Sequence, residues 1–247
     1  MLEIKYLLIP GIAFIAFFVK AMTGFGPALI FIALTSLFIT PHVAVVVSSI
    51  LDTIAGFILL RVDWKGGSFK YCLPLVISIT TGSVLGSIAL KFISPEIFLK
   101  ILVFVILFLG FWFLKGRSGK DESELLAELP AKSSYQDAFF TFLGGFSGGL
   151  MGISGPPIIW HFGRSFNKLA FRQVLIPIFL ASTIARVITY TCTGLTNMLV
   201  MHYVLLAIPG LLLGLYVGNR IFLKISELTF NRIVGIALIL AAIKQLF

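Results

Sequence analysis

Three charged residues and two glycine–proline breaks are the features able to carry chemistry in a chain that is otherwise apolar for most of its length. Asp52, Lys20 and Arg186 each interrupt a long hydrophobic run. A charge at the centre of a hydrocarbon span costs roughly 2.5–3.5 kcal/mol on insertion scales, so each of the three needs a reason to be there. Asp52 sits midway through 43–60. It reads as a proton- or cation-coupling carboxylate, or as a structural partner for Lys20 or Arg186. Arg186 lies four residues from the end of its run. There it either snorkels to the outer interface or presents a planar donor fork to an anionic group. Lys20, four residues before Gly24, either puts positive charge beside the first break or pairs with Asp52.

The breaks are Thr23-Gly24-Phe25-Gly26-Pro27 and Gly152-Ile153-Ser154-Gly155-Pro156-Pro157. Glycine frees the backbone to turn, and proline removes a donor and blocks the preceding helical turn. In hydrocarbon such freed backbone is tolerated only where protein or a wet cavity surrounds it. Matching interruptions in two halves of a membrane chain are the sign of a transporter's central site. A half-helix starting after Gly26-Pro27 or Gly155-Pro156 offers unpaired N–H groups and a positive dipole end, which together suit an anion. Prolines fit the first turn of such a helix, and Thr23 and Ser154 add hydroxyl donors.

The candidate substrate-binding residues are therefore Thr23, Gly24, Phe25, Gly26, Pro27, Ile153, Ser154, Gly155, Pro156 and Arg186. Asp52 and Lys20 are candidates for coupling or ion pairing. His161 and Gln173, with Asn167, are secondary lining groups at the second break. The competing reading is that both breaks are ordinary kinks that let helices pack.

Other chemistries find no support. Cys72 and Cys192 are far apart, and His42, His161 and His202 are scattered, so neither a disulfide framework nor metal-ligand spacing is present. There is no HExxH, GxSxG, P-loop or CxxC pattern. The expectation is a protein that is not an enzyme and needs no cofactor or metal. With 59% hydrophobic and 12% charged residues, against about 25% charged in a soluble domain, the chain reads as an integral membrane protein. Its partner is a lipid bilayer, and a homodimer is left open. The net charge of +9 does not point to nucleic acid, because the basic residues fall between apolar runs as in cytoplasmic loops. Lys5 before an apolar run resembles a signal peptide, but Lys20 interrupts that run and the segment has a counterpart in the second half, so a spanning segment is expected.

The elements that must position these residues are apolar segments at 7–39, 43–60, 71–90, 98–114, 138–163, 173–190, 198–219 and 229–246. A bilayer-spanning helix needs about 20 residues. The first segment as one rod would reach about 50 Å across a hydrocarbon core near 30 Å. It is expected to fold into a hairpin at Gly24–Pro27, and 138–163 to do the same at Gly152–Pro157.

The halves repeat. Gly26-Pro27 aligns with Gly155-Pro156, and Gly82 and Gly86 align with Gly210 and Gly214. The glycine spacings read as helix-packing faces. The expected organisation is a first membrane repeat over 1–114, a charged cytoplasmic linker over 115–136 and a second repeat over 137–247. If each broken segment returns to its own side and three helices cross per half, one side holds 13 Lys/Arg and the other four. A single crossing per broken segment would split them nine to eight. The positive-inside rule selects the first arrangement. The expected fold is thus all-α: two inverted repeats, each a Gly/Pro-broken hairpin plus three transmembrane helices, with both termini extracytoplasmic.

The pair of broken hairpins, Gly24-Phe25-Gly26-Pro27 near the start and Gly148-Gly149-Leu150-Met151-Gly152-Ile153-Ser154-Gly155-Pro156-Pro157 past the middle, resembles the sulfite exporter TauE/SafE family. That family is also called the 4-toluene sulfonate uptake permease family. The resemblance covers essentially the whole chain, including its charged central linker. It implies secondary transport, across a prokaryotic cell (inner) membrane, of a small sulfur-containing anion such as sulfite, thiosulfate or sulfoacetate. Alternating access around the hairpin tips is the expected mechanism, with a passive anion channel or a carrier for a small carboxylate as the alternatives.

Overall fold

The computed structural model describes residues 2–23, 27–63, 69–115, 130, 132–162, 166 and 168–221. Nearly all of these lie in nine α-helices: α1 (Leu2–Thr23), α2 (Pro27–Thr35), α3 (Pro41–Asp63), α4 (Phe69–Phe92), α5 (Pro95–Lys115), α6 (Tyr135–Met151), α7 (Gly155–Phe162), α8 (Lys168–Cys192) and α9 (Met198–Ile221). The chain is an all-α integral membrane protein. Among the described residues, four helices are long and apolar enough to cross a bilayer: Pro41–Arg61, Lys70–Phe92, Gln173–Cys192 and Met198–Arg220. Large apolar side chains such as Phe57 on α3, Phe104 and Phe108 on α5 and Leu205 on α9 are exposed, as faces turned to lipid require. The expected segment 229–246 and most of the linker lie outside the described residues.

Sequence sets where the helices begin and end. Proline opens α2, α3 and α5, at the position where its missing N–H costs nothing. Ser134 caps α6: its hydroxyl accepts from the Asp137 N–H, and the Asp137 carboxylate accepts from the Ser134 N–H. This reciprocal box satisfies two otherwise orphaned donors. Pro10, Pro74, Pro177 and Pro209 lie inside α1, α4, α8 and α9. A soluble helix resists such prolines, but membrane helices accept them where neighbours meet the freed backbone groups.

The helices form two compact units, and each draws on both halves of the chain. One contains α1, α2, α3 as far as Leu51, α5 and α9. In it α1 and α9 run parallel and nearly touch. A Cβ on Gly210 would stand 2.0 Å from the Pro10 carbonyl oxygen, and one on Gly214 would stand 2.5 Å from that of Phe14. The short α2 is buried from Pro27 to Ala33.

The other unit contains α3 from Asp52, α4 through Lys91, α6, α7 and α8. Here α4 and α6 run parallel on the same plan. A Cβ on Gly82 would come within 2.3 Å of the Phe142 carbonyl oxygen, and one on Gly145 within 2.2 Å of that of Ile79. So in each unit the long arm of a broken hairpin lies on the glycine face of a helix from the opposite half. The glycine pairs aligned in the sequence do equivalent packing. Around α7 the second unit builds an apolar core from Leu75 and Ile79 of α4, Ile158 and Phe162 of α7, and Val174, Leu175 and Ile178 of α8.

Candidate functional site

The second break is a helix end, a three-residue link and a helix start. Gly152 ends α6 with φ 75° and ψ 0°, and its N–H donates to the Gly148 carbonyl at 2.7 Å. This left-handed cap is a conformation glycine adopts without steric cost. Ile153 and Ser154 follow, and the Ser147 hydroxyl donates to the Ile153 carbonyl at 2.9 Å, tying the link back to α6. Then α7 starts at Gly155, with Pro156 and Pro157 in its first turn. Because proline carries no N–H, that turn keeps one backbone donor, on Gly155.

The missing donors leave a place for side chains. Ser154 immediately precedes α7, is 8% exposed, and its hydroxyl has no hydrogen-bond partner. A buried hydroxyl without a partner costs about 1–3 kcal/mol. The hydroxyl lies against Gly148, where an added Cβ would come within 1.9 Å of Ser154 Oγ. Gly148 is thus the residue that leaves room for the serine.

Arg186 of α8 reaches the same glycine. It is 2% exposed, and its Nη1 donates to the Gly148 carbonyl at 3.0 Å. Its Nη2 stands 3.6 Å from Asp52 Oδ2, and its Nε has no partner. One turn further along α8, the Tyr190 hydroxyl donates to the Gly149 carbonyl. The Gly148 carbonyl, already bonded by the Gly152 N–H, and the Gly149 carbonyl are therefore both met by side chains of α8. A cation suits that negative helix end. Arg186 is enclosed by protein, so it does not take the interfacial, snorkelling position. The guanidinium and the free serine hydroxyl converge on Gly148, where the C-terminus of α6 meets the N-terminus of α7.

The remaining sequence candidates separate. Asp52 pairs with Arg186. Ile153 and Gly155 are buried beside Ser154, and Pro156 is half-buried. In the first unit Thr23 ends α1 and Pro27 opens α2, while Gly24, Phe25 and Gly26 lie outside the described residues, as does Asn167. Lys20 is 4% exposed and is engaged by other groups. His161 is held away from the break at the far end of α7. Its Nε2 is 2.6 Å from Asp137 Oδ1, and its ring stacks on Phe140 with centroids 4.7 Å apart. Gln173 is half-buried on α8 and also engaged.

Three participants were not singled out by sequence reasoning. Asp137 had a readable signal in its Ser134-x-x-Asp137 capping pattern. Tyr190 had one in its spacing four residues after Arg186, which puts both on one helix face. Tyr71, whose hydroxyl donates to Asp137 Oδ2 at 3.1 Å, had none. No cluster of three His, Cys, Asp or Glu side chains able to hold a metal occurs among the described residues.

The family described as Sulfite exporter TauE/SafE matches residues 9–245. The chain is also similar to the probable sulfite/organosulfonate exporter TauE of Cupriavidus necator, with 27% identity over 242 residues, covering 91% of this chain and 90% of the relative. No solved structure matches. The match across nearly the whole chain settles the family: this protein belongs to the sulfite exporter TauE/SafE family of membrane transporters.

Proposed function

We propose that the chain is a secondary transporter that moves a small sulfur-containing anion across the cell membrane by alternating access. Sulfite, thiosulfate and organosulfonates such as sulfoacetate are the substrate class. The organisation proposed is a repeat over 1–114 and a repeat over 137–247 in inverted orientation, joined by the cytoplasmic linker 115–136, with both termini extracytoplasmic. Family membership supports the class, and the name of the Cupriavidus necator relative supports the sulfur anion.

The observation that carries the site is the pair of buried, unpartnered donors at the second break, Ser154 Oγ and Arg186 Nε. Protein interiors rarely leave such atoms unpaired, because the loss is the full desolvation cost of the group. A ligand with several acceptor oxygens would satisfy both. A sulfonate or sulfite group brings three oxygens and negative charge. It would meet the guanidinium fork, the Ser154 hydroxyl and the Gly155 N–H at the positive end of α7. Gly152 and Gly148 keep the approach clear of Cβ atoms. Thr23 to Pro27 is the corresponding element of the first half, and Lys20 is its nearby cation.

A thermal-shift panel on the purified protein with sulfite, thiosulfate, sulfoacetate, taurine and simple carboxylates tests this. Stabilisation by the sulfur oxyanions, weaker with carboxylates and lost on Arg186→Lys, is the expected result. No response to any anion would overturn the site. An equal response to carboxylates would move the substrate class.

A further inference from the structure

The contacts of Arg186 are uneven around its guanidinium. Its Nη1 is anchored on the Gly148 carbonyl at 3.0 Å. The Nε and Nη2 atoms make the other edge of the guanidinium, the fork that can bind two oxygens of one acid group side by side. On that edge Nε has no partner, and Nη2 faces Asp52 Oδ2 at 3.6 Å. Docked arginine–carboxylate pairs sit at about 2.7–2.9 Å, and 3.6 Å is beyond hydrogen-bond length. Asp52 thus neutralises the cation through space without occupying its fork. Both residues are largely buried, and a buried cation with no counter-charge is strongly disfavoured.

We propose that Asp52 is a resident counter-ion for Arg186 that the transported anion displaces. This rests on the anion site described above and adds to it the state in which no anion is bound. In that state Asp52 keeps the guanidinium neutralised at arm's length. When an oxyanion arrives, it takes the Nε–Nη2 edge with two oxygens, and the longer, single-atom contact to Asp52 gives way. The competition weakens binding, which is what a carrier needs, since an anion held by a buried, uncontested arginine would not leave.

Two substitutions at one position have opposite expected signs. Asp52→Asn keeps the shape and removes the competing charge. Asp52→Glu adds one methylene, enough to close the gap and dock on the fork. Sulfoacetate and sulfite would be titrated calorimetrically into purified full-length wild type and each variant, with melting temperatures measured without anion. Displacement predicts binding about tenfold tighter in Asp52→Asn and about tenfold weaker in Asp52→Glu, each a change readable as a shift in Kd. It also predicts that the anion-free Asp52→Glu protein melts no lower than wild type. A purely structural Asp52 would lower the melting temperature and the affinity of both variants together. If wild type binds and both variants bind more weakly, or neither changes, displacement is overturned while the site stands. Should Asp52→Asn fail to fold, Asp52→Glu decides alone: equal or tighter binding overturns the proposal. Absence of binding by wild type itself overturns the site, and displacement with it.

Discussion

The two broken hairpins share a Gly/Pro sequence pattern between a long and a short helix and differ in the residues around it. In the first, α1 ends at Thr23 and α2 starts at Pro27, a short helix whose residues are apolar and buried from end to end apart from Thr35 and one half-buried position. Its first turn, Pro27-Ala28-Leu29, keeps two backbone N–H groups. In the second, Pro156 and Pro157 leave α7 a single N–H in its first turn, yet Ser154 and Arg186 stand beside it with unpaired donors. Where backbone donors are removed, side-chain donors appear. Among the described residues, the second copy is the one whose break has unpaired side-chain donors, Ser154 Oγ and Arg186 Nε, beside it.

The largest expected effect is at Arg186. Arg186→Met removes the cation that faces the buried Asp52, a loss of about 3–5 kcal/mol in stability. It should also abolish sulfite and sulfoacetate binding, by more than about 100-fold in Kd. Denaturation in detergent and calorimetry read the two. Lys20→Met, the matching test in the first unit, should weaken anion binding far less; equal losses would make the two copies equivalent partners and erase the contrast.

Glycine substitutions sharpen the comparison next. Gly148→Ala pushes a methyl to within 1.9 Å of Ser154 Oγ and should weaken anion binding by about tenfold or more, the hydroxyl having to turn away. Gly214→Ala, whose Cβ would meet the Phe14 carbonyl oxygen at 2.5 Å, should instead destabilise by about 1–3 kcal/mol through overpacking, with the Kd of surviving protein unchanged.

Ser154→Ala has a smaller effect with a distinctive sign. Removing an unsatisfied buried hydroxyl should leave melting unchanged or raise it, a gain of about 1 kcal/mol at most, while anion affinity falls several-fold. A loss of stability would mean that the hydroxyl has a structural partner. The smallest effect is expected at His161. His161→Phe breaks its contact with Asp137 and should cost about 1 kcal/mol of stability, leaving anion affinity as in wild type.

Much of the fold was legible because its signals are local. Apolar length sets a spanning helix, so 43–60 and 198–219 fell within α3 and α9. Glycine and proline placed the second break, with Gly152 in the one backbone conformation there that favours glycine. The glycine pairs were readable as packing faces, but their partners were not. Gly82 and Gly210 each lie on a helix more than 50 residues away in sequence, and nothing local says that each hairpin packs on a helix from the opposite half.

The site was half legible for the same reason. Ser154 stood out as a hydroxyl at a helix start. Arg186 was identifiable as a charge inside an apolar run, but its inward direction depends on Gly148 and Asp52, contacts that only folding creates. His161 looked like a lining residue because it is polar in an apolar hairpin; Asp137, which holds it, enters through the capping box at the start of α6.

The central claim, that the α6–α7 break with Arg186 binds the transported anion, is tested most directly by removing the ion pair as a unit. Asp52→Asn combined with Arg186→Met removes both charges of the pair, so the protein should lose less stability than Arg186→Met alone. Uptake of labelled sulfite or sulfoacetate into proteoliposomes would then be compared at equal protein content. The account predicts a folded double variant with uptake at the level of empty liposomes. Uptake at the wild-type rate would contradict it.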